Sequence, residues 1–271
     1  MTLTPVSMIP ELETLDRVLD ELGPLAVAVS GGVDSMTLAH VVARRQGPAA
    51  RMLHAVSAAV PPQATARVQR HALRHDWRLS LIDAGEFTDP DYRRNPVDRC
   101  FYCKQNLYTA MARETDAVLV SGTNRDDLGD YRPGLRAAAD RGVRHPFVEA
   151  GIDKAGVRRL ARALGLGDLA ALPASPCLSS RIETGIAIRA TDLGFVHRVE
   201  QLLGTALRAE TVRCRIRAEG PAVELDPAAL ARLQAPEAVA LRERLAALCR
   251  QQGHGRPPVL LPYRRGSAFL R

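Results

Sequence analysis

A chain of 271 residues with 46% hydrophobic and 25% charged residues has the composition of a globular protein with one large domain or two smaller ones. No apolar run reaches the length of a transmembrane helix, and the N-terminus lacks the basic start and long apolar core of a signal peptide, so we expect a cytoplasmic protein without membrane attachment. The formal net charge of +7 comes from arginines scattered along the chain, not from a basic block, which disfavours a nucleic-acid partner and is compatible with small anionic substrates.

The first part of the chain alternates between strand and helix patterns of hydrophobic residues. In chain order we predict helix 10–22, strand 25–29, a helix containing 36–42, strand 51–59, helix 63–75, strand 78–83, a loop at 85–98, helix 99–115, strand 117–121 and helix 153–164. This alternation predicts an α/β fold with a doubly wound parallel sheet. Ligands in such folds bind at the carboxyl ends of the strands.

The pattern changes at the segment 171–185, which is punctuated by Pro, Ser and Gly. Beyond it we predict helix 190–203, strands 211–217 and 222–225, helices within 227–250 and a strand at 259–261. This mixture predicts a smaller C-terminal α+β domain. We therefore divide the chain into domains 1–172 and 173–271.

The loop after the first predicted strand has the chemistry of a phosphate-binding turn. It reads Ser-Gly-Gly-Val-Asp-Ser from Ser30 to Ser35, and Gly31 and Gly32 allow backbone N–H groups to approach an anion at a helix N-terminus. We expect Asp34 or Ser35 to cap the helix. The hexamer resembles the PP-loop of the ATP-pyrophosphatase superfamily, which implies cleavage of ATP between the α- and β-phosphates and transfer of AMP to a substrate oxygen. The alternative is an ordinary glycine-rich turn.

A second polar loop, from Gly122 to Gly134, follows the buried strand predicted at 117–121. A polar stretch at the carboxyl end of a buried strand indicates a ligand loop. Without the loop at 30–35, a plain surface turn would be the simpler interpretation.

The cysteines offer metal ligands more readily than disulfides in a cytosolic protein. Cys100 and Cys103 form a C-x-x-C near a predicted helix start, and Cys177 lies in an irregular loop. A C-x-x-C is compatible with zinc, a redox pair or an iron–sulfur cluster, and zinc is weakened because we find neither a second C-x-x-C nor an H-x-x-x-H to complete a structural zinc site. Three thiolates on a [4Fe–4S] cluster would leave one iron open, whereas three cysteines that never meet are the alternative. Cys214 and Cys249 are interpreted as packing residues.

Taken together, these motifs resemble the LarE family of ATP-dependent sulfur transferases along nearly the whole chain. The stretches that carry the resemblance are 95–104 with its C-x-x-C, the loop 122–134, the segment 173–181, the strand residues 212–215 followed by Glu224, and 263–267. One departure is Arg-Ile-Glu-Thr-Gly at 181–185, where many relatives have Ile-Pro-Tyr-Gly.

The resemblance implies a role in making the nickel-pincer nucleotide cofactor of lactate racemase. Members adenylate a carboxylate of pyridinium-3,5-biscarboxylic acid mononucleotide and replace an oxygen with sulfur. In one mode a single cysteine gives up its sulfur and becomes dehydroalanine; in the other, three cysteines hold a [4Fe–4S] cluster that carries sulfide. Cys177 matches the position shared by both modes, and the presence of Cys100 and Cys103 favours the cluster.

The resemblance also assigns roles to particular residues. ATP phosphates and nucleotide are expected at Ser30, Gly31, Gly32, Asp34, Ser35, Gly122, Thr123 and Asn124, with Asp34 orienting Mg²⁺ and with Asp127 and Asp130 nearby. The catalytic residues are expected to be Cys100, Cys103, Cys177 and Asp34, and the substrate-binding residues Ser180, Arg181, Arg213 and Arg215. A solvated strand face is the alternative for Arg213 and Arg215, because they alternate at period two. The family further implies a homo-oligomer, with a hexamer as one such assembly, while the sulfide donor stays unidentified.

Three other functions compete with this one. A tRNA thiolase can share the PP-loop and a three-cysteine cluster, but no clustered basic stretch is present. An amidating PP-loop enzyme would need no cysteine triad. A nucleotide-binding regulator without catalysis would form no AMP and pyrophosphate.

Overall fold

A computed structural model describes residues 9–129, 133–264 and 266–268. The chain divides into two compact units. The first runs to Glu86 and again from Cys100 to Ser175, and the second comprises Phe87–Arg99 together with the described residues from Pro176 onwards. Among the described helices, none combines the length and apolar character needed to cross a membrane.

The described strands and helices largely follow the predicted order. The strands are β1 Leu25–Ala28, β2 Arg51–Ala55, β3 Arg78–Ile82, β4 Val118–Ser121, β5 Val212–Arg217, β6 Gly220–Leu225 and β7 Val259–Pro262. The helices are α1 Pro10–Asp20, α2 Val33–Gln46, α3 Pro62–Arg74, α4 Pro90–Arg93, α5 Arg99–Glu114, α6 Pro133–Asp140, α7 Pro146–Glu149, α8 Lys154–Ala163, α9 Gly167–Ala170, α10 Ala190–Leu207, α11 Pro227–Gln234 and α12 Val239–Gln251.

The first unit contains a parallel sheet with the strand order β3-β2-β1-β4. The chain fills the sheet outwards from β1 on one side and then crosses to β4 on the other, which confirms the predicted doubly wound α/β fold. Ala28 is paired with Ser121, so β1 and β4 end side by side. The loops at 29–32 and 122–124 therefore leave the sheet at its topological switch point, where ligands of such folds bind.

Helices cover both faces of this sheet. Leu25 and Val27 point into a core shared with α1, α2 and α8, whereas Ala26 lies in a second core with Tyr108 and Met111 of α5. Successive strand residues face opposite sides, so an unbroken apolar strand such as β1 requires apolar partners on both.

The second unit contains a smaller mixed sheet with the order β5-β6-β7. β5 and β6 form an antiparallel pair, and β7 adds in parallel to β6. Cys214 and Cys249 are fully buried, so their prediction as packing residues is confirmed.

Two local predictions are wrong. Neither Asp34 nor Ser35 caps α2: the N-cap is Gly32 in an extended conformation, and no side chain fills the capping position. The Ser35 hydroxyl instead accepts a hydrogen bond from the Ser30 N–H, so the turn uses the group that would have served as a cap. The segment 85–98 is not purely a loop, because Asp89 caps the short helix α4.

Candidate active site

The turn between β1 and α2 is closed by its own serines. The backbone N–H of Ser30 donates to Ser35 Oγ at 3.0 Å, and the two serine hydroxyls lie 3.0 Å apart. Ser35 Oγ also donates to the carbonyl of Gly32 at 3.3 Å. These bonds fix the backbone of the turn directly before the N-terminus of α2, where the helix dipole favours an anion.

Two glycines at this point have no room for a side chain. Gly31 has a φ of +81°, and a Cβ on it would lie 2.8 Å from the carbonyl oxygen of Ala64. A Cβ on Gly122 would lie 2.5 Å from the backbone nitrogen of Ser35. The loop after β4 therefore packs directly against the first turn of α2, so the two predicted nucleotide loops do meet.

Gly32 differs from these two glycines. A Cβ built on it meets only Ser30 Oγ, at 3.5 Å, which is ordinary van der Waals contact. Its φ of −81° is open to any residue. The fold does not require glycine at this position, so a need for glycine here would come from a ligand.

Asp34 is the centre of a polar cluster beside the turn. Its Oδ2 accepts from Lys154 Nζ at 2.5 Å, and its Oδ1 accepts from Asn124 Nδ2 at 3.3 Å. Lys154 is the first residue of α8, directly after the capping residue Asp153. The cluster joins the starts of two helices to the loop after β4, and it places a lysine ammonium next to the phosphate-binding turn.

Lys154 was not identified from the sequence. Its signal was present, because Lys104 and Lys154 are the only lysines in an arginine-rich chain. A compact ammonium group suits phosphate as a point charge. Without the fold, however, nothing relates position 154 to position 34.

The loop after β4 is held by its own side chains. Asp127 Oδ2 accepts from the N–H of Asn124 at 3.0 Å, and Asn124 Oδ1 accepts from the N–H of Asp126 at 3.1 Å. The backbone N–H of Lys154 donates to Asp126 Oδ2 at 3.3 Å. The loop is therefore held in one conformation by these hydrogen bonds, which a plain surface turn would not require. Asp130 lies outside the described residues.

Thr123 belongs to a second hydrogen-bonded group, which includes His145, a residue that was not predicted to be part of the site. Ser121 Oγ lies 3.0 Å from Thr123 Oγ1 and 2.8 Å from His145 Nδ1. Burial is the main cause that lowers the pKa of His145. The His145 imidazole is therefore neutral at neutral pH, and its hydrogen bond holds the Ser121 hydroxyl at the carboxyl end of β4.

The three cysteines that were predicted to carry out the sulfur chemistry are also the three whose side chains are accessible to solvent. Cys100 and Cys103 are half-buried and three residues apart in α5, which places them on one helix face, while Cys177 is exposed in the second unit. The Cys177 carbonyl accepts from Ser180 Oγ at 2.8 Å, so its backbone is held although its side chain is exposed. Cys214 is buried, and burial raises the pKa of its thiol well above the usual value. Accessible thiols are suitable iron ligands, so the three predicted residues fit a cluster in their chemistry.

The predicted substrate arginines have different surroundings within the second unit. Arg181 pairs with Glu200 through two bonds of 2.9 and 3.0 Å, and Arg215 pairs with Glu224 at 3.0 Å. Arg215 is 4% exposed, which does not match a solvated strand face. Arg213 is half-buried, with its guanidinium 5.9 Å from the centre of the Tyr263 ring.

These ion pairs also hold the loop that carries Cys177. Arg181 donates to the carbonyls of Pro176 and Cys177 at 2.8 and 3.1 Å, and Arg215 donates to the carbonyl of Ser180 at 3.0 Å. Arg181 and Arg215 thus position the backbone of this loop. Of the three arginines, Arg213 is the one whose side chain retains accessible surface for a ligand.

Comparison with known proteins found relatives along most of the chain, although no family model matches it. An uncharacterized protein of Synechocystis is 36% identical over 221 residues, which cover 80% of this chain and 82% of the relative. An uncharacterized protein of Methanocaldococcus jannaschii is 32% identical over 114 residues, or 41% of this chain and 44% of the relative. The pyridinium-3,5-bisthiocarboxylic acid mononucleotide synthase of Lactiplantibacillus plantarum is 29% identical over 222 residues, which cover 79% of each chain.

Proposed function

Because the chain belongs to the LarE family, we propose that it is an ATP-dependent sulfur transferase acting on pyridinium-3,5-biscarboxylic acid mononucleotide. The name of the Lactiplantibacillus plantarum relative supports this substrate, since a bisthiocarboxylic acid mononucleotide is the sulfur-containing counterpart of the biscarboxylic one. The structural observation that carries the proposal is the close packing of Gly122 against Ser35 at the switch point of the sheet. It joins two nucleotide loops where an α/β fold binds its ligand.

ATP would bind with its phosphates on the turn from Ser30 to Ser35. The backbone N–H groups of Gly31 and Gly32 would contact the phosphates, and the N-terminus of α2 contributes a partial positive charge. Lys154 adds a full positive charge beside Asp34. Gly122, Thr123 and Asn124 would line the nucleotide from the neighbouring loop.

Magnesium fits this arrangement because Asp34 offers carboxylate oxygens, the ligands that Mg²⁺ prefers, on a side chain that is 24% exposed. Bound there, the ion would offset the negative charge of the phosphates. Asp34 itself orients Lys154 and Asn124, whose hydrogen bonds to the two carboxylate oxygens keep them at the turn.

The reaction needs activation because a carboxylate is a poor electrophile. An oxygen of the substrate carboxylate attacks the α-phosphorus of ATP, and pyrophosphate leaves. A sulfur nucleophile then attacks the carboxyl carbon, a C–S bond forms, and AMP leaves with the original oxygen. Lys154 would bind the pyrophosphate portion, since its ammonium group lies beside Asp34 at the proposed phosphate-binding turn.

The sulfur step would use Cys100, Cys103 and Cys177. A [4Fe–4S] cluster held by these three thiolates would supply the transferred sulfide from its open iron. Arg181 and Arg215 keep the backbone around Cys177 fixed, and Arg213 is available for the phosphate or a carboxylate of the substrate. We further propose that the 173–271 domain binds the substrate and mediates homo-oligomer formation, and that the enzyme works in the cytoplasm.

The proposal is tested by single-turnover assays with ATP labelled at the α-phosphate. We expect AMP and pyrophosphate to form when the pyridinium dicarboxylate mononucleotide is present and not with ATP alone. Bulk tRNA as the added substrate distinguishes a tRNA thiolase from the proposed enzyme. AMP formation with tRNA and none with the mononucleotide would contradict the proposed substrate, and no AMP with either would contradict the activity.

A further inference from the structure

Three histidines come together on the helix layer of the first unit, at positions that the proposed reaction does not use. His40 lies on α2, His71 lies on α3, and His75 directly follows α3. One ring nitrogen from each lies within 4.8 Å of the others. His40 Nε2 and His71 Nδ1 are 2.9 Å apart, and the rings of His40 and His75 have their centres 4.5 Å apart.

The sequence contains the signature of this cluster, so the prediction that no H-x-x-x-H is present was wrong. His71 and His75 form an H-x-x-x-H, a spacing that puts two imidazoles on one face of a helix. The third member, His40, is 31 residues before His71. Only the packing of α2 beside α3 brings it into the group.

Asp168 is a carboxylate that lies near the outer nitrogen of His71. Its Oδ2 lies 3.7 Å from His71 Nε2, on the opposite side of the ring from His40. This distance is longer than a hydrogen bond, so the carboxylate acts on the ring only through its charge, which favours a proton on Nε2 and leaves Nδ1 to face His40. His40 is half-buried and His71 is buried, so two of the three imidazoles are held in place by the packing of α2 and α3.

We propose that His40, His71 and His75 bind one divalent transition-metal ion of the zinc class. Neutral imidazoles suit Zn²⁺, with bonds of about 2.0–2.1 Å, and tetrahedral ligands are then about 3.3 Å from each other. The observed separations of 2.9 Å and up to 4.8 Å bracket that value, so small ring movements complete the site. Exposed His75 leaves the fourth position open to water.

The ion would stabilise the helix layer at a distance from the phosphate-binding turn. It would connect the middle of α2 to the end of α3, whereas the turn lies before the start of α2 and contacts the start of α3. A metal that binds the folded state and not the unfolded chain stabilises the fold. The competing explanation is a hydrogen bond between the two imidazoles of His40 and His71 with no metal.

The test uses the full chain without an affinity tag, in a Cys100→Ala, Cys103→Ala, Cys177→Ala background that removes the other soft ligands. After chelator treatment, Zn²⁺ is titrated by calorimetry, bound zinc is counted after dialysis, and the melting temperature is measured with and without zinc. We expect one zinc per chain and a zinc-dependent rise in melting temperature. Replacing exposed His75 in His75→Ala is expected to weaken zinc binding at least tenfold and to remove the rise.

His197→Ala on α10 is the matched control, because it removes an imidazole from outside the cluster. It is expected to bind zinc like its parent. The proposal is overturned if the parent retains no zinc, if His75→Ala binds zinc as tightly as the parent, or if His197→Ala weakens binding to the same extent as His75→Ala.

Discussion

The ammonium group of Lys154 lies 2.5 Å from a carboxylate oxygen of Asp34, joining the first residue of α8 to the first turn of α2. This pair lies beside the proposed phosphate-binding turn, and both side chains are partly exposed to solvent. Lys154→Ala is therefore expected to lower ATP affinity about ten- to a hundredfold, since a hydrogen bond to a charged group contributes about 1.5–3 kcal/mol. Calorimetry with ATP and Mg²⁺ measures the change.

Arg159→Ala is the control for this prediction, because Arg159 lies on the same helix and its side chain pairs with Glu11 instead. It is expected to bind ATP normally. Equal ATP affinity of Lys154→Ala and Arg159→Ala would show that Lys154 does not contact the nucleotide.

Asp34→Asn is expected to fold normally and to lose adenylation. The Asp34 carboxylate is paired with the Lys154 ammonium, and in the proposed function its oxygens also serve Mg²⁺, so the loss of its negative charge is expected to weaken Mg²⁺ binding at the phosphate site. The amide preserves the shape of the side chain and can still accept a hydrogen bond from Lys154. Release of AMP is measured as a function of Mg²⁺ concentration. A wild-type rate of AMP release by Asp34→Asn would refute the magnesium role.

Gly122→Ala is expected to destabilise the first unit by about 1–3 kcal/mol, the usual range for overpacking. The added Cβ would lie 2.5 Å from the Ser35 nitrogen, which belongs to helix backbone and cannot move aside cheaply. Gly129→Ala is the matched control, since no atom lies within 4 Å of a Cβ there. Thermal denaturation compares the two. Equal melting temperatures would show that the loop after β4 does not pack tightly against α2.

Gly32→Val is expected to retain the melting temperature and to lose ATP affinity. A Cβ at this position meets only Ser30 Oγ at 3.5 Å and the φ of −81° is open to any residue, so the backbone and the first side-chain atom fit without strain. A branched side chain would nevertheless occupy the space where phosphate approaches the backbone. The same calorimetric titration applies. Unchanged ATP affinity in the folded variant would mean that this turn is not the phosphate site.

The sheet was predictable because its signals are local. β1 is an apolar run, and Gly31 and Gly32 lie in the turn that follows it. The observed strand and turn agree with the predicted positions to within one residue. The α2 cap was mispredicted because Ser35 has two possible partners, and the turn, not the helix end, takes its hydroxyl. Helix α6 begins at Pro133, so the last two residues of the predicted loop 122–134, a proline and a glycine, belong to a helix, and the helix that they open was not predicted.

The features that were not predicted depend on contacts between residues that are far apart in the chain. Asn95, in a segment predicted as loop, has a φ of +55° and donates its amide to the carbonyls of Glu183 and Ile186 at 2.8 and 3.0 Å. These bonds help to place the 87–99 segment in the second unit. Lys154 with Asp34, and His40 with His71, are separated by 120 and 31 residues. Local periodicity contains no information on such pairs.

The roles of Cys100, Cys103 and Cys177 provide the most direct test of the proposed sulfur transfer. The protein is reconstituted anaerobically with iron and sulfide, iron is counted, thiocarboxylate product is measured, and the intact mass is determined after turnover. We expect each single Cys→Ala change at these positions to abolish both the bound iron and the sulfur transfer, and Cys249→Ala, a buried control, to retain both. Full activity of Cys100→Ala and Cys103→Ala, with Cys177 converted to dehydroalanine and the mass lowered by one H₂S, would contradict the cluster and establish a sacrificial cysteine instead.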